Sequence, residues 1–577
     1  MVSLFRKGKQ SPEGSASVES TAVIPKASQV SYDPHTPLGP RVSRPPLANA
    51  DDELLHSLGY KADLKREFSP LELFGVSFSI MSLAPSIASI LVDQIPAGGV
   101  GLTWGWFVPC VFIMSIGITM SEMASAMPTA GGLYWWTHMF APDKWKSYLS
   151  FLCGYSDTLG LIGGVGSINY GAASQVLSSV EMGTDYSPSD GVTYAVFLGI
   201  TLLQCACCCL PNRVLAKFQS ATIFLNIVAV VLICIALPVG LKVKGLPINS
   251  GEYVFGDTTN QTSYPYGMSF MLAWMAAIWT ISSQDSCVHM AEEAANAATA
   301  VPFGILLSVF LCWIFGWLIL CVIAAVIDPS QAGVEELMGA TLPMANIIER
   351  CLNSKWAIGI MSLFSVIQSC MGLSALLSTS RQVYAFARDD ALPFSRYLKQ
   401  TTKGQLPIPA LLFSTLVAAL IGLLILAGAV AANAIFSLGM SALYLGWCLP
   451  IFVYSFSNKR IVNPGPFYLG HFWSKANGIL ASAFGIYVIC ALSMLPADIP
   501  VESSGDMNYS CVVCGAVWLG ASLYWLFDAR KWYDGPKMTL EDDEEIAEVI
   551  EAREHVEAEM RHSKKDDEAG APEKIIA

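Results

Sequence analysis

Long uncharged runs recur along the chain from Ser69 to Asp528, separated by short polar breaks. No Asp, Glu, Lys or Arg falls between Asp93 and Glu122, Asp190 and Arg213, Lys217 and Lys242, Asp257 and Asp285, Glu293 and Asp328, or Lys355 and Arg381. The run from Lys403 to Lys459 holds 55 uncharged residues, room for two helices and a tight turn. A bilayer core takes about 20 apolar residues per helix. Backbone polar groups in hydrocarbon must pair within the protein, so repeated runs of this length predict a helical bundle. A closed barrel would show short alternating segments, and the chain has no such alternation. The pattern predicts an all-α integral membrane protein with twelve transmembrane helices. They fall near 72–92, 101–123, 149–178, 192–210, 214–237, 267–288, 301–326, 357–380, 408–428, 431–454, 476–496 and 508–528.

Charge orients this bundle. With the N-terminus in the cytosol, twelve spans return the C-terminus there too. The cytosolic loops then hold Lys144, Lys146, Arg213, Lys217, Arg381, Arg388, Arg396, Lys399, Lys403, Lys459, Arg460 and Lys475, twelve cations against four outside (Lys242, Lys244, Arg350 and Lys355). That is the bias expected of cytosolic loops, while Asp498, Glu502 and Asp506 fall outside. Three regions follow: a largely disordered cytosolic tail at 1–70, a twelve-helix membrane domain at 71–530, and an acidic cytosolic tail at 531–577. The first 50 residues lack the apolar core of a cleavable signal. In the last region, Ile546, Val549, Ile550 and Val556 recur at near-helical spacing.

Composition adds little beyond the class. Charged residues are 14% of the 577 and mean hydropathy is +0.50, against roughly 25% charged in soluble domains. The net charge of -13 comes with no basic stripe, so a lipid bilayer is the expected partner and nucleic acid is not. Cys205, Cys207, Cys208 and Cys209 crowd one helix end without a nearby His. They read as packing cysteines rather than a metal site, and no metal or cofactor is expected. Of two glycosylation sequons, at Asn260 and Asn508, Asn260 is the candidate acceptor.

A bundle of this kind suits a channel, a membrane enzyme or a carrier, and polarity inside the spans discriminates among them. Ionisable groups in a membrane face a cavity or a partner. The candidates are Asp157 in the third span and Asp285 near the end of the sixth, with His289 at its rim. No paired carboxylates or acyl-transfer constellation point to an enzyme. The first span carries Pro85 among Ser82, Ser86 and Ser89. Both a simple proline kink and a discontinuous helix fit it. In the second case the free amides at Ser82, Leu83 and Ala84 would face an anion. The sixth span carries Thr280, Ile281, Ser282, Ser283, Gln284 and Asp285 beyond its apolar part. Inverted five-helix repeats place interrupted helices first in each copy, with substrate between them. The two breaks head spans 1–5 and 6–10, a correspondence that favours a carrier.

Three further segments carry a resemblance. Ser121–Trp135 (SEMASAMPTAGGLYW), Asp285–Asn296 (DSCVHMAEEAAN) followed by Val301 and Pro302, and Ser380–Pro393 (SRQVYAFARDDALP) occur in this order. Together they resemble signatures of the amino acid–polyamine–organocation superfamily of secondary transporters. Within it, Phe78–Ser89 (FSIMSLAPSIAS) and Cys287–Glu293 resemble the fungal amino acid/choline transporters, above all permeases for 4-aminobutyrate and related amines. The resemblance covers roughly residues 60–530.

The resemblance implies inverted repeats at about 72–237 and 267–454, with two additional helices at 476–528. It implies uptake of a small amino acid or amine, 4-aminobutyrate foremost, with choline, polyamine or general amino-acid transport as alternatives. Substrate would sit beside Ser82, Leu83, Ala84, Thr280, Ile281, Ser282, Ser283 and Gln284. Glu122 and Arg381 fall near the cytosolic rim, with packing and gating both open. A coupling proton is expected, through Asp157 before Asp285. Sodium, held by hydroxyls such as Ser374 and Ser378, is the alternative. The plasma membrane is the expected location, with the vacuolar membrane second. Trp135 and Trp136 are expected to anchor the membrane interface.

Overall fold

The computed structural model describes residues 50–184, 186–461, 463–492, 495–496, 499–501 and 509–540. Every predicted span is occupied there by a helix or by helix fragments. α1 (Ala50–Ser57) precedes the first span, which is split into α2 (Pro70–Met81) and α3 (Leu83–Ile90). α4 (Gly98–Ala126), α5 (Gly132–Phe140), α6 (Lys146–Gly183), α7 (Asp190–Cys208) and α8 (Asn212–Val243) follow. After the short α9 (Gly251–Gly256), the sixth span is broken into α10 (Tyr266–Leu272), α11 (Met275–Thr280) and α12 (Ser286–His289). Then come α13 (Ala297–Val326), α14 (Gln331–Gly339), α15 (Pro343–Cys351), α16 (Ser354–Arg388) and α17 (Ser395–Leu398). α18 (Ile408–Ile421), α19 (Ala429–Phe456), α20 (His471–Cys490) and α21 (Ser510–Phe527) complete the order. No β-strand forms among the described residues, and one isolated parallel bridge joins Phe68 to Ala294.

Eight helical stretches among the described residues are long and apolar enough to cross a membrane by length and composition: 70–93, 95–126, 190–208, 212–243, 297–326, 354–388, 408–427 and 439–456. The broken sixth span fails on continuity. α6 is long enough, but Gly, Ser, Asn and Asp157 dilute its apolar character. Burial ranks these helices. The apolar window of 70–93 is 89% buried against protein, but those of α7 and α8 are only 28% buried. The first span is therefore central, and α7 and α8 present Leu202, Leu203 and Phe224 outward, where lipid would lie.

α6 packs against α16 and α19 through small residues. A Cβ at Gly160 would come within 2.7 Å of the Leu443 amide nitrogen, and one at Gly154 within 2.3 Å of the Phe386 ring. Close backbone approach of this kind is how membrane helices gain packing without a hydrophobic drive.

Local chemistry sets the helix starts. Ser69 and Glu72 form a reciprocal capping box at α2, with Pro70 in its first turn, an arrangement that satisfies two otherwise orphaned amides. The stretch 50–69, grouped by sequence with the N-terminal tail, is packed. Leu55, Tyr60 and Phe68 are buried, and the Phe68 backbone bonds Glu293 O and Ala295 N. At the same end of the bundle Thr539 N donates to Gly59 O and Lys61 N donates to Thr539 Oγ1, so the two ends of the helical region meet.

Other expectations shift. Trp135 and Trp136 are buried in α5, and Trp136 Nε1 donates to Met127 O, so neither anchors an interface. The Gly-Gly turn before them lets α5 tuck both rings inward. α20 begins at His471, earlier than the 476 expected. Asn260 is exposed, its side-chain amide donating to Tyr264 O. Asn508, Asp498, Glu502, Asp506 and the helix expected around Ile546–Val556 lie outside the described residues, as do residues 1–49.

Candidate functional site

The first break follows from Pro85. A proline in a helix interior lacks an N–H and its ring clashes with the carbonyl four residues back, here that of Met81. The chain responds one residue later. Ser82 adopts a left-handed conformation (φ 35°, ψ 66°), ending α2 and starting α3. Ser86 Oγ donates to the freed Met81 carbonyl at 2.9 Å, and Gln175 Nε2 donates to Pro85 O at 2.9 Å. Ser82 Oγ donates to Asn226 Oδ1 at 3.0 Å, which ties the break to α8.

The second break lies between α11 and α12. Ile281 leaves helical geometry (φ -97°, ψ 46°), Ser282 and Ser283 are irregular, and Gln284 and Asp285 form a turn before α12 begins. Ser77 Oγ donates to Ser283 O at 3.1 Å, so the two interrupted segments touch. Thr280 Oγ1 and both amide atoms of Gln284 are buried with no hydrogen-bond partner.

A cavity of about 30 Å³ lies beside the second break. Its walls include Ile80 from α2, Leu161 and Ser167 from α6, Trp279, Ser282 and Ser283 from the sixth span, Ser378 from α16 and Met440 from α19. No lining side chain is charged, and serines supply its hydroxyls. A water needs roughly 10–15 Å³ measured this way, so the space suits about two waters. Of the eight substrate-site residues expected, Ser282 and Ser283 line the cavity, whereas Ser82, Leu83, Ala84, Thr280, Ile281 and Gln284 do not. Sequence reasoning missed Trp279 and Ser286, which flank the expected run, and the wall from α6 and α19. Only three-dimensional packing brings the latter in. Ser378 lines the cavity, and Ser374, one turn before it on α16, donates to Gln219 Oε1 at 2.9 Å.

One turn from the cavity, the structure gathers Asp157, Asp285 and His289, each 0% exposed. His289 Nε2 stands 3.4 Å from Asp157 Oδ2 and 3.5 Å from Asp285 Oδ2. His289 Nδ1 lies 2.9 Å from Ala130 O. A carbonyl only accepts, so Nδ1 carries hydrogen and Nε2 faces the two carboxyl groups. The expectation that His289 is a rim residue is corrected: α12 turns it into the bundle, against α6. The ligating atoms lie within 4.8 Å of one another. Three donors fall short of a closed tetrahedral metal site, and the group reads as an acid–base cluster.

Glu122 and Arg381 are likewise buried, each 1% exposed, rather than at a solvated rim. They do not meet. Glu122 accepts from Leu469 N at 2.7 Å and Ser474 Oγ at 2.8 Å, fastening α4 to α20. Arg381 Nε donates to Glu293 Oε1 at 2.6 Å, and Asn212 Nδ2 donates to Glu293 Oε2 at 2.6 Å. Beside them Arg388 makes two bonds to Glu292, at 2.8 and 2.9 Å, and its guanidinium lies 4.2 Å from the Tyr60 ring centroid. Burial alone would raise the Glu292 carboxyl. The paired Arg388, the Ala130 amide and nearby Arg66 instead hold it below its ordinary value. Asp389 accepts from Tyr134 at 2.6 Å, Tyr60 at 3.2 Å and Lys537 N at 3.2 Å. Burial nevertheless pushes its carboxyl up to about 6. The Glu292 and Glu293 partners were not foreseen, although two adjacent acids facing two arginines seven residues apart on one helix is a legible pairing.

Comparison with known proteins adds three findings. A family model described as amino acid permease matches residues 68–517. The GABA-specific permease of Saccharomyces cerevisiae is 41% identical over 499 residues, covering 86% of this chain and 87% of that protein. A putative polyamine transporter of Candida albicans is 31% identical over 512 residues, covering 86% and 92%.

Proposed function

The chain belongs to the amino acid permease family and is a multi-pass membrane transporter of amino acids or amines, not an enzyme; from that premise we propose that it imports 4-aminobutyrate coupled to protons. The observation that carries the choice of solute is the uncharged cavity between two interrupted helices, lined by serines. A zwitterion carries no net charge into such a space. Once the cavity widens toward the first break, its carboxylate would be met by the leading amides of α3 at Leu83 and Ala84, where the helix dipole favours an anion. Its ammonium would be met by hydroxyls and open carbonyls at Ser282 and Ser283. A polyamine brings two or more positive charges into a space whose own lining carries no charge, and burying such charges is costly. The 41% identity to a GABA-specific permease supports the same choice. Polyamine transport is the second reading, favoured by the Candida albicans relative.

In this proposal twelve helices cross the plasma membrane, with both termini cytosolic and Asn260 outside as a glycan acceptor. Spans 1–5 and 6–10 form the inverted repeats. The closed cavity opens alternately to either side. Arg381 and Arg388, bound to Glu293 and Glu292, gate the cytosolic end, and Glu122 holds α20 against α4 as they move. Proton coupling acts through Asp157 and Asp285.

Competition uptake into proteoliposomes tests the solute. Unlabelled 4-aminobutyrate should displace label strongly, whereas putrescine and choline should not. Displacement by putrescine alone would reverse the assignment. Gly164 tests the place. It lines the cavity, and a Cβ there meets nothing within 4 Å. Gly164→Leu should fill the cavity and cut uptake more than tenfold, about 1.4 kcal/mol, with the thermal midpoint unchanged. Wild-type uptake in that variant would put the solute elsewhere.

A further inference from the structure

We infer that the cluster in which His289 is clasped between Asp157 and Asp285 is the proton-carrying site of this transporter, a role that rests on the proton-coupled reading above. The inference starts from the arrangement of acceptors. With Nδ1–H committed to Ala130 O, three acceptors converge: the Nε2 lone pair and a carboxylate from each side. All four carboxylate oxygens and Nε2 are buried without another hydrogen-bond partner. Buried polar groups left so are rare and expensive, and a cluster with no dissociable proton would hold two negative charges in a dry interior. One proton on Nε2 makes an imidazolium between two carboxylates, with net charge -1. A second, on either carboxyl group, brings the cluster to neutrality. The site thus holds one or two protons and changes its net charge by one as it cycles.

Among the described residues, the surroundings bring no free positive group to it. α16, packed on α12, brings Arg381 and Arg388, which are bound to Glu293 and Glu292. The 291–293 turn brings those same two glutamates. α6 adds only the Cys153 thiol, which donates to Gly446 O, and α19 sets Gly446 itself against Asp157. α2 carries its one charge, Glu72, at its far N-terminal cap, and α13 carries none.

Position supplies the coupling. Asp285 and His289 ride on the short segment after the second break, while Asp157 is fixed on α6. The cavity is lined by Ser282, Ser283 and Ser286 of the same segment and by Leu161, one turn from Asp157. Solute and proton therefore act on one movable piece of chain, 281–289, and each must alter the affinity for the other by the same factor. The proton enters from water on one side and leaves to water on the other. Only the N–H or O–H bond that carries it is made and broken.

Proteoliposomes with an inward proton gradient of one pH unit and no membrane potential test this. One proton per solute allows up to about tenfold accumulation of 4-aminobutyrate. Wild type should approach that limit. His289→Gln and Asp157→Asn should fall to an inside-to-outside ratio of about 1, while solute exchange continues at a reduced rate that no longer varies with pH. If both variants accumulate solute as wild type does, the inference is overturned and proton coupling stands. If wild type itself responds to a sodium gradient and not to protons, the coupling proposal falls, and this inference with it. Restoration of chelator-treated transport by a divalent metal would also overturn it. Should the variants fail to fold, wild type decides: solute binding in weakly buffered detergent should change the bound proton count between pH 5 and 8, and no change at any pH rules the cluster out.

Discussion

Two buried polar clusters share the segment 281–293, and they differ in how their oxygens are partnered. In the Glu292–Arg388 and Glu293–Arg381 pairs every carboxylate oxygen accepts a bond from an arginine, reinforced by Ala130 N and Asn212. In the Asp157–His289–Asp285 cluster no carboxylate oxygen has a hydrogen-bond partner outside the cluster. The first is charge-balanced and holds the ends of α8, α12 and α16 together. The second is one positive group short of balance in its singly protonated form. Completed polar networks rigidify a structure, whereas incomplete ones mark strain kept for function. In the proposed cycle the first is a lock that holds until it is released, and the second is the site that gains or loses charge.

The largest expected effect breaks the lock. Arg381→Met leaves Glu293 buried and unpaired, a situation that costs about 3–5 kcal/mol. The double variant Arg381→Met with Glu293→Met removes both charges and should recover most of the loss. Thermal unfolding of purified protein checks this. A double variant as unstable as the single would mean that the pair stabilises through packing and not through charge.

Asp389 sits at the edge of the lock and gives it a pH dependence. Its carboxyl titrates at about 6 when folded, against 3.8 ordinarily. Between those values the folded protein keeps a proton that the unfolded chain has lost, so stability falls as pH rises from about 4 to 6 and is level above. The span corresponds to roughly 3 kcal/mol. Asp389→Asn should abolish that slope, read as the wild-type minus variant difference in unfolding midpoint across this range. An unchanged slope would assign the dependence to another group.

The acid–base cluster should respond in the opposite sense from the lock. Asp157→Asn removes one of two carboxylates competing for a single imidazolium and leaves a balanced His289–Asp285 pair. The variant should unfold at a higher temperature, by about 1 kcal/mol, while losing accumulation. Stability gained where function is lost is the trade-off expected of a site kept strained for activity. A clear destabilisation would instead class the cluster with the lock.

The contrast also bears on what the sequence reveals. Helix positions were legible because hydrocarbon demands continuous apolar runs, and the breaks were legible because Pro85 and the polar run 280–285 interrupt them. Asp157 stood out as the one charged residue between Lys146 and Glu181. Its partner His289 was misplaced because periodicity gives no side-chain direction beyond a broken helix. The cavity wall was half hidden for a related reason. Ser282 and Ser283 belong to a visible break, but Leu161, Gly164 and Met440 lie in regular helices whose facing sides only packing reveals. Leu83 and Ala84 were assigned to the cavity from the break itself, yet neither lines it.

An effect smaller than that of Arg381→Met lies at the margin of the lock. Asn212 opens α8, donates to Glu293 Oε2 and accepts from Arg381 Nη2 at 3.2 Å. It is neither member of an ion pair, and both charged partners keep each other without it. Asn212→Ala removes one bond to each, and should cost about 1–2 kcal/mol, well under the Arg381→Met loss. Its effect on transport should also differ in kind. A loosened lock makes the closed conformation less favoured, so exchange should quicken or hold steady even as the thermal midpoint drops. Measured exchange that falls in proportion to the folded fraction would show that Asn212 contributes to folding alone. A loss as large as that of Arg381→Met would show instead that the network is a single cooperative unit, in which the neutral amide matters as much as the charges it joins.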